Sequence, residues 1–428
     1  MASVYESALI KAVSDLESRG YTVQTEVSPS PKSPLRTDIL GWGVDSNGVL
    51  RPMVGVEILS PEKMGEKEIS NSRRQLKMMR DYFGTETHFI YDGEIWLELS
   101  ENFLEFNVNP GPVSMSGIEY SRVVDIKSIT NLIEIPFWQS IERLRNDLPV
   151  ESCALIAVED LLNNSRITDV AVYLTSHPTI GLDPDSLIKA CLGLIERTLG
   201  RNAQFSSPKN VIDFLFNLIS PQGFTGSFVD LFSGSGATLR EFVLRSKLNN
   251  SSIERVEGIE INSRTSEMSR LFNSLIDPSI KVTTGDSITT TKELFDVSIS
   301  IPPIGVRRNS SVETPFGSTS NGDLIALFQI ATSLKPNGVA ACLLAPGWTW
   351  QVSREAIEFR NWLSTNFHVV ALISMPVVLN VTGFKPVALI IRNSIPGETI
   401  VGTLGEDWLE QSQPEGELFQ QIQTSLKI

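Results

Sequence analysis

Between residues 201 and 395 short apolar runs alternate with helical stretches, and no other feature constrains the fold of this chain as tightly. Seven runs read as strands: SFVDLF, VEGIEI, KVTTGD, FDVSISI, VAACLLA, VVALISM and PVALIIR. Strands separated by helices pair in parallel, because a parallel connection needs a crossover of a dozen residues or more. The last two runs have no long helix between them, so the final strand is expected to run antiparallel to the rest. The reading is an α/β fold with a doubly wound, mixed sheet of seven strands.

The 428 residues allow two or three domains. Residues 1–112 read as a small α/β unit. A helix from Val4 to Arg19 ends at Gly20, and strands are expected over 21–27, 37–43, 52–59, 87–91 and 95–99, with a helix over 70–83. Asn107-Val-Asn-Pro-Gly-Pro closes the unit with turn residues. Residues 113–200 read as a helical connector, with three-to-four apolar spacing in SLIKACLGLIERTLG and Gly200 as a helix C-cap. Residues 201–428 form the third part. Its tail beyond Gly405 is acidic, then weakly amphipathic, and is expected to be a helix that docks on a partner.

Composition excludes several classes. Hydrophobic content of 41% and charged content of 20% are those of an ordinary globular protein. The net charge of −14 argues against strong non-specific DNA binding by the chain alone, since neutralising phosphates drives such binding. Local basic stripes remain, at Arg73, Arg74, Lys77 and Arg80 and at Arg307 with Arg308; their plainer reading is solvated surface. Cys153, Cys191 and Cys342 lie far apart, as do His88, His177 and His368, so neither a zinc site nor a disulfide framework is expected, and no metal is assigned. The first residues lack a basic region followed by an apolar core, and no apolar run spans a bilayer. A reducing cytoplasm is the expected compartment.

Three strand ends carry chemistry. In FVDLFSGSGATL a strand ends in Asp230, passes Gly234-Ser235-Gly236 and opens a helix; glycines there let backbone approach a ligand. Glu260 ends the second strand, where a carboxylate can accept from ribose hydroxyls, and Asp286 follows the third, where it can meet an adenine amine. Gln204-Phe205-Ser206-Ser207-Pro208 precedes the first strand across a helix. An α/β domain with ordinary glycine turns is the open alternative.

The fourth strand ends in an altered motif, FDVSISIPPIG, from Phe295 to Gly305. With the elements above, in this order, residues 204–393 resemble the methylation subunit of type I restriction-modification systems and the related type IIG enzymes, both N6-adenine DNA methyltransferases. The family's DPACGSG is similar to Asp230–Gly236, and its FDVVLANPPFG to Phe295–Gly305. DLIALFQIATSLKPNGVAACLL, Ala345-Pro346-Gly347 and Thr382-Gly383 are similar to its later elements. The resemblance implies a class I methyltransferase fold. It also implies S-adenosylmethionine as cofactor, held by Phe205, Pro208, Asp230, Gly234, Gly236, Glu260 and Asp286, and a catalytic loop Ile301-Pro302-Pro303-Ile304. In the family an Asn and a Pro carbonyl hold the target amine and an aromatic ring stacks on the extruded base. Here Ile301 and Ile304 stand at those two places, so impaired methyl transfer is expected. The alternative is a variant site with donors from Ser300 or Asp296.

Residues 1–100 resemble, more weakly, the PD-(D/E)xK nuclease-like domain of type I motor subunits and type IIG enzymes. Asp38 and Glu57 stand at the acid positions, Leu59 stands where the lysine is expected, and Lys63 is further along. A metal nuclease needs that lysine beside two carboxylates, so nuclease activity is expected to be impaired. The domain order matches a type IIG enzyme that stops before its target-recognition domain. DNA contact is therefore expected through a partner, a separate specificity or defence subunit. Three functions stay open: a weakly catalytic or non-catalytic DNA-associated or assembly subunit, an active methyltransferase with a separate specificity subunit, and a scaffold without ligand.

Overall fold

The computed structural model describes residues 4–27, 36–44, 50–63, 65–115, 126–163, 184–200, 207–219, 225–290, 293–379 and 383–426. Two compact units comprise residues 1–199 and 200–428.

The first unit opens with helix α1 (Val4–Ser18), whose Ala8, Ala12 and Leu16 recur every fourth residue and are buried. Six strands follow: β1 (Thr22–Val27), β2 (Thr37–Val44), β3 (Leu50–Ile58), β4 (Thr87–Tyr91), β5 (Trp96–Leu99) and β6 (Phe106–Asn109). They pair in chain order. Every pairing is antiparallel except β3 with β4, where helix α2 (Glu66–Phe83) makes the crossover. Ile39, Val54, Val56, Phe89 and Trp96 form the core beneath α1. Strand β6 falls where turn residues were expected; it is a short edge strand paired with β5, and its polar pattern hides it. Helices α3 (Ile126–Leu144), α4 (Val150–Asn163) and α5 (Pro184–Leu199) pack on one another.

Of the candidate basic stripe on α2, Arg74 and Lys77 are exposed, while Arg73 and Arg80 are engaged. Arg73 donates to the Leu104 carbonyl at 2.7 Å and lies over the Phe106 ring, and Arg80 pairs with Asp81 and lies over Phe103.

The second unit is built on β7 (Gly226–Asp230), β8 (Ile253–Glu260), β9 (Lys281–Thr284), β10 (Phe295–Ser300), β13 (Leu334–Leu344), β14 (His368–Ser374), β15 (Val387–Arg392) and β16 (Ile400–Thr403), with the polar hairpin β11 (Arg307–Thr314) and β12 (Gly317–Asn321) outside the sheet. Across the sheet the order is β16-β14-β15-β13-β10-β7-β8-β9. β7 to β10 and β13 are parallel, while β15 inserts antiparallel between β13 and β14. This is the class I methyltransferase topology, with its reversed strand. An eighth strand, β16, adds to the seven expected; only four residues long and half exposed at the edge, it carries little apolar signal.

Helices cover both faces. Phe228 on β7 stacks between Phe216 of α6 (Lys209–Ile219) and Phe242 of α7 (Ala237–Leu248), with centroids 6.0 and 4.4 Å away. The next residue, Val229, joins the opposite cluster, with Leu324 and Leu327 of α9 (Gly322–Thr332) and Phe359 of α10 (Arg354–Asn366). Helix α8 (Ser263–Ile276) follows β8. The terminal helix α11 (Glu417–Leu426) corrects one expectation: it docks on its own unit. Leu418 and Ile422 are buried with Trp408 and Phe214 in the core, so its apolar face is already covered.

Candidate active site

In an open α/β sheet, ligands bind outside the carboxyl ends of the strands. Asp230, Glu260, the Asp286 turn, the two-proline loop and the segment after β13 all lie at that end.

Asp230 closes β7 and is buried. Its carboxylate accepts from the Phe232 N–H at 3.0 Å and from the Thr238 hydroxyl. Burial pushes the carboxyl up to about 6, against these donors and Ser300. Asp230 therefore shapes the loop from inside. Gly234 and Gly236 take φ of +50° and +79°, conformations that favour glycine. The Gly234 N–H donates to Glu260 at 3.0 Å. Gly236 is glycine for a second reason. A Cβ there would lie 2.5–2.6 Å from Asn273 and Ser269 of α8, so its absence admits a close-packed helix. Ser233 and Ser235 bury hydroxyls that have no hydrogen-bond partner among the described residues.

Glu260 is half-buried at the end of β8 and also accepts from the Asn262 N–H at 2.8 Å. It joins the glycine loop to the start of α8. Asp286 accepts from the Ile288 N–H at 3.1 Å and pairs with Arg308 at 2.6 Å. Pro208 lies just before α6; Gln204 and Phe205, like Thr382, lie outside the described residues.

The two-proline loop leaves β10 with Ile301 half-buried and packed against the apolar cluster of Phe228 and Ile299. Pro302 is buried, Pro303 exposed and Ile304 half-buried. The two alternative groups, Ser300 and Asp296, are both engaged elsewhere. Ser300 is fully buried and its hydroxyl accepts from the Leu231 N–H at 3.1 Å. Asp296 sits at the amino end of β10, about 16 Å of extended chain from Ile301. There it accepts from the Ser227 N–H at 2.8 Å and from Lys335 at 2.8 Å. Burial would raise its carboxyl, but Lys335 and Ser227 outweigh that and hold it at about 2.

Asp323, in the first turn of α9, is a residue the motifs did not mark. One carboxylate oxygen accepts from the Gly305 N–H and the other from the Ala345 N–H, each at 3.1 Å. It clamps the two-proline loop to the segment after β13. A carboxylate at the head of an otherwise apolar helix was its one sequence signal. Trp350, in that segment, is 69% exposed, and Phe384, before β15, is 60% exposed. Both extend from the same end of the sheet, because Leu344 and Ser374 both pair with Val387.

In the first unit, Asp38 on β2 and Glu57 on β3 come together. The Asp38 N–H donates to Glu57 at 3.3 Å, and the Asp38 carboxylate accepts from the Ile58 N–H at 2.6 Å and the Tyr5 hydroxyl at 2.7 Å. Tyr5 also donates to Glu26 at 3.0 Å. Burial raises both carboxyls, Glu57 strongly, and the charge of Asp38 raises Glu57 further. Leu59 is half-buried beside Leu76 and Ile90. Among the described residues no group of three acids, histidines or cysteines is placed to hold a metal.

Comparison with known proteins places the second unit. Residues 194–395 match the model of the N-6 DNA Methylase family. Among solved structures, the chain is similar to a type I restriction-modification complex (15% identity, 65% of this chain and 72% of that one, TM-score 0.47). It is also similar to the type I methyltransferase subunit from Streptococcus thermophilus (15% identity, 71% and 74%, TM-score 0.42). A third is the type IIG restriction endonuclease BpuSI (13% identity, 99% of this chain, TM-score 0.44), of which the chain spans 60% of the length. No curated protein matches the chain. Residues 194–395 therefore carry a domain that matches the N-6 DNA Methylase family.

Proposed function

We propose that the chain is an S-adenosylmethionine-binding, N6-adenine methyltransferase-like protein with lost or impaired methyl transfer. It serves as a DNA-associated or assembly subunit of a restriction-modification or phage-defence system. One observation carries the loss: the Ile301 side chain packs against the core instead of offering an amide to the loop. Removing one transition-state hydrogen bond costs about 3 kcal/mol or more, and Ile304 supplies no ring for stacking.

The strand ends fit the cofactor chemically. Glu260 is half-buried and able to accept from ribose hydroxyls, Asp286 follows the next strand, and the glycine loop keeps two orphaned hydroxyls, Ser233 and Ser235. When bound, S-adenosylmethionine supplies an activated methyl group. The Pro302 carbonyl is then the remaining family acceptor for the target amine.

DNA is the proposed partner at the same end of the sheet. Exposed Trp350 and Phe384 offer stacking surfaces, with Arg307, Arg354 and Lys385 exposed among them. At a net charge of −14 the chain's own hold on phosphate is weak, so a specificity or defence subunit supplies sequence reading. The first unit is a nuclease-like fold, with Asp38 and Glu57 as its remnant acids. Among the described residues no helix is long and apolar enough to cross a membrane. The three buried thiols are free, which supports a reducing cytoplasm as the chain's place.

The test is tritiated methyl incorporation into DNA by the purified chain. Background incorporation is expected, with a trace restored by Ile301→Asn combined with Ile304→Phe. Clear incorporation by the unmodified chain, lost on Asp230→Ala, would promote an active methyltransferase in its place.

A further inference from the structure

We infer that Arg308 is a latch on the nucleoside end of the cofactor site, competing with the ligand's exocyclic amine for the Asp286 carboxylate. The inference rests on the reading of that site as one for an S-adenosyl ligand. Both Asp286 oxygens already accept: Oδ1 from the Ile288 N–H at 3.1 Å, Oδ2 from the Arg308 guanidinium at 2.6 Å. An amine that approaches Asp286 meets a carboxylate whose charge is already paired. Either the cation moves or the amine binds a weakened acceptor.

The segment carrying Arg308 is tied at its base and unpaired just beyond it. The hairpin of β11 and β12 follows the two-proline loop directly and is rooted at its base. There Arg307 pairs with Asn321, the Gly322 N–H donates to the Val306 carbonyl at 2.8 Å, and Asp323 holds the Gly305 N–H. Regular pairing resumes only at Val312, so residues 308–311 lie outside the ladder. The Arg308 Nε is buried without a partner, and among the described residues Asp286 is the group that holds the guanidinium. The pair is partly open to water, with the two side chains 32% and 24% exposed, so water can replace each partner as they separate. Because the hairpin continues from the loop that carries Ile301–Ile304, release of Arg308 would report cofactor arrival to the face where a substrate base would enter.

Calorimetric titration with S-adenosylhomocysteine tests this on the full chain. Arg308→Ala should bind two- to fivefold tighter than the unmodified chain, the range expected for a partly exposed ion pair, and Arg308→Lys should bind like the unmodified chain. Raising the salt from 50 to 500 mM should tighten binding by the unmodified chain and leave Arg308→Ala nearly unchanged, since screening weakens only the competing pair. Asp286→Ala should weaken binding and abolish the effect of Arg308→Ala. Equal or weaker binding by Arg308→Ala overturns the latch while leaving the cofactor reading in place. Absence of binding by every variant and by the unmodified chain overturns both.

Discussion

Each of the two units holds a pair of carboxylates that the sequence marks as candidates, and the two pairs are held in opposite ways. In the first, Asp38 and Glu57 face each other in a sheet interior. Their partners are the Tyr5 hydroxyl and N–H groups of each other's strands, and burial raises both carboxyls. In the second, Glu260 and Asp286 sit at the ends of parallel strands, half-buried, and hold loops rather than each other. Retained acids therefore say little by themselves. A carboxylate that faces another and lacks a cation tends to keep its proton and becomes a structural hydrogen-bond partner. Glu260 and Asp286, at strand ends, instead tie loop backbone and an arginine to the rim of the sheet.

The largest effect expected within this contrast belongs to Asp230, an acid of the second unit that is buried like Glu57 of the first. Its carboxyl is raised from 3.8 to about 6 by burial, so its contribution is fully present below about pH 4 and is lost as the pH rises through 6. The stability of the unmodified chain relative to Asp230→Asn should fall by about 2–3 kcal/mol between pH 4 and 7. Denaturant unfolding across that range checks it, and a flat difference would mean that Asp230 is not desolvated.

Next in size is cofactor affinity. Glu260→Ala should weaken S-adenosylhomocysteine binding at least tenfold, about 1.4 kcal/mol, while Asp38→Ala leaves it unchanged. No heat at millimolar ligand, with Glu260→Ala indistinguishable from the unmodified chain, would favour a scaffold without ligand. A smaller change is expected at Glu57. Because burial raises its carboxyl, the protonated form is the stable one, and stability is lost as the pH rises through its folded value. Glu57→Gln should therefore gain on the unmodified chain with rising pH, read from the unfolding of the first unit. An opposite trend would show Glu57 ionised and paired. The smallest expected effect is none: Mg²⁺-dependent cleavage of plasmid DNA stays at background, because Leu59 supplies no cation. Robust cleavage abolished by Asp38→Ala would erase the distinction between the two acid sets.

Much of the second unit is legible in the sequence because its signals are local. A hydrophobic strand, an acid, two glycines and a helix fall within residues 226–248, and the missing helix between β14 and β15 exposes the reversed strand. The edge strands β6 and β16 and the hairpin β11–β12 are not legible in the same way. Their residues are polar or half exposed, so the alternation that marks a buried strand is weak. Gly236 reads as a ligand contact because a glycine that admits a helix and one that admits a ligand look alike in sequence.

The sequence by itself determined the period of each element, the backbone freedom at Gly234 and Gly236, and the chemical change at Ile301 and Ile304. These depend on residues a few positions apart. Tertiary structure alone decided that Arg308 meets Asp286 across 22 residues, that Asp323 joins Gly305 to Ala345, that Ile301 turns toward the core, and that the last helix covers its own unit. The reason is physical. An ion pair or a buried face is chosen by which groups the folded sheet brings within a few ångströms, and separation along the chain carries no record of that distance.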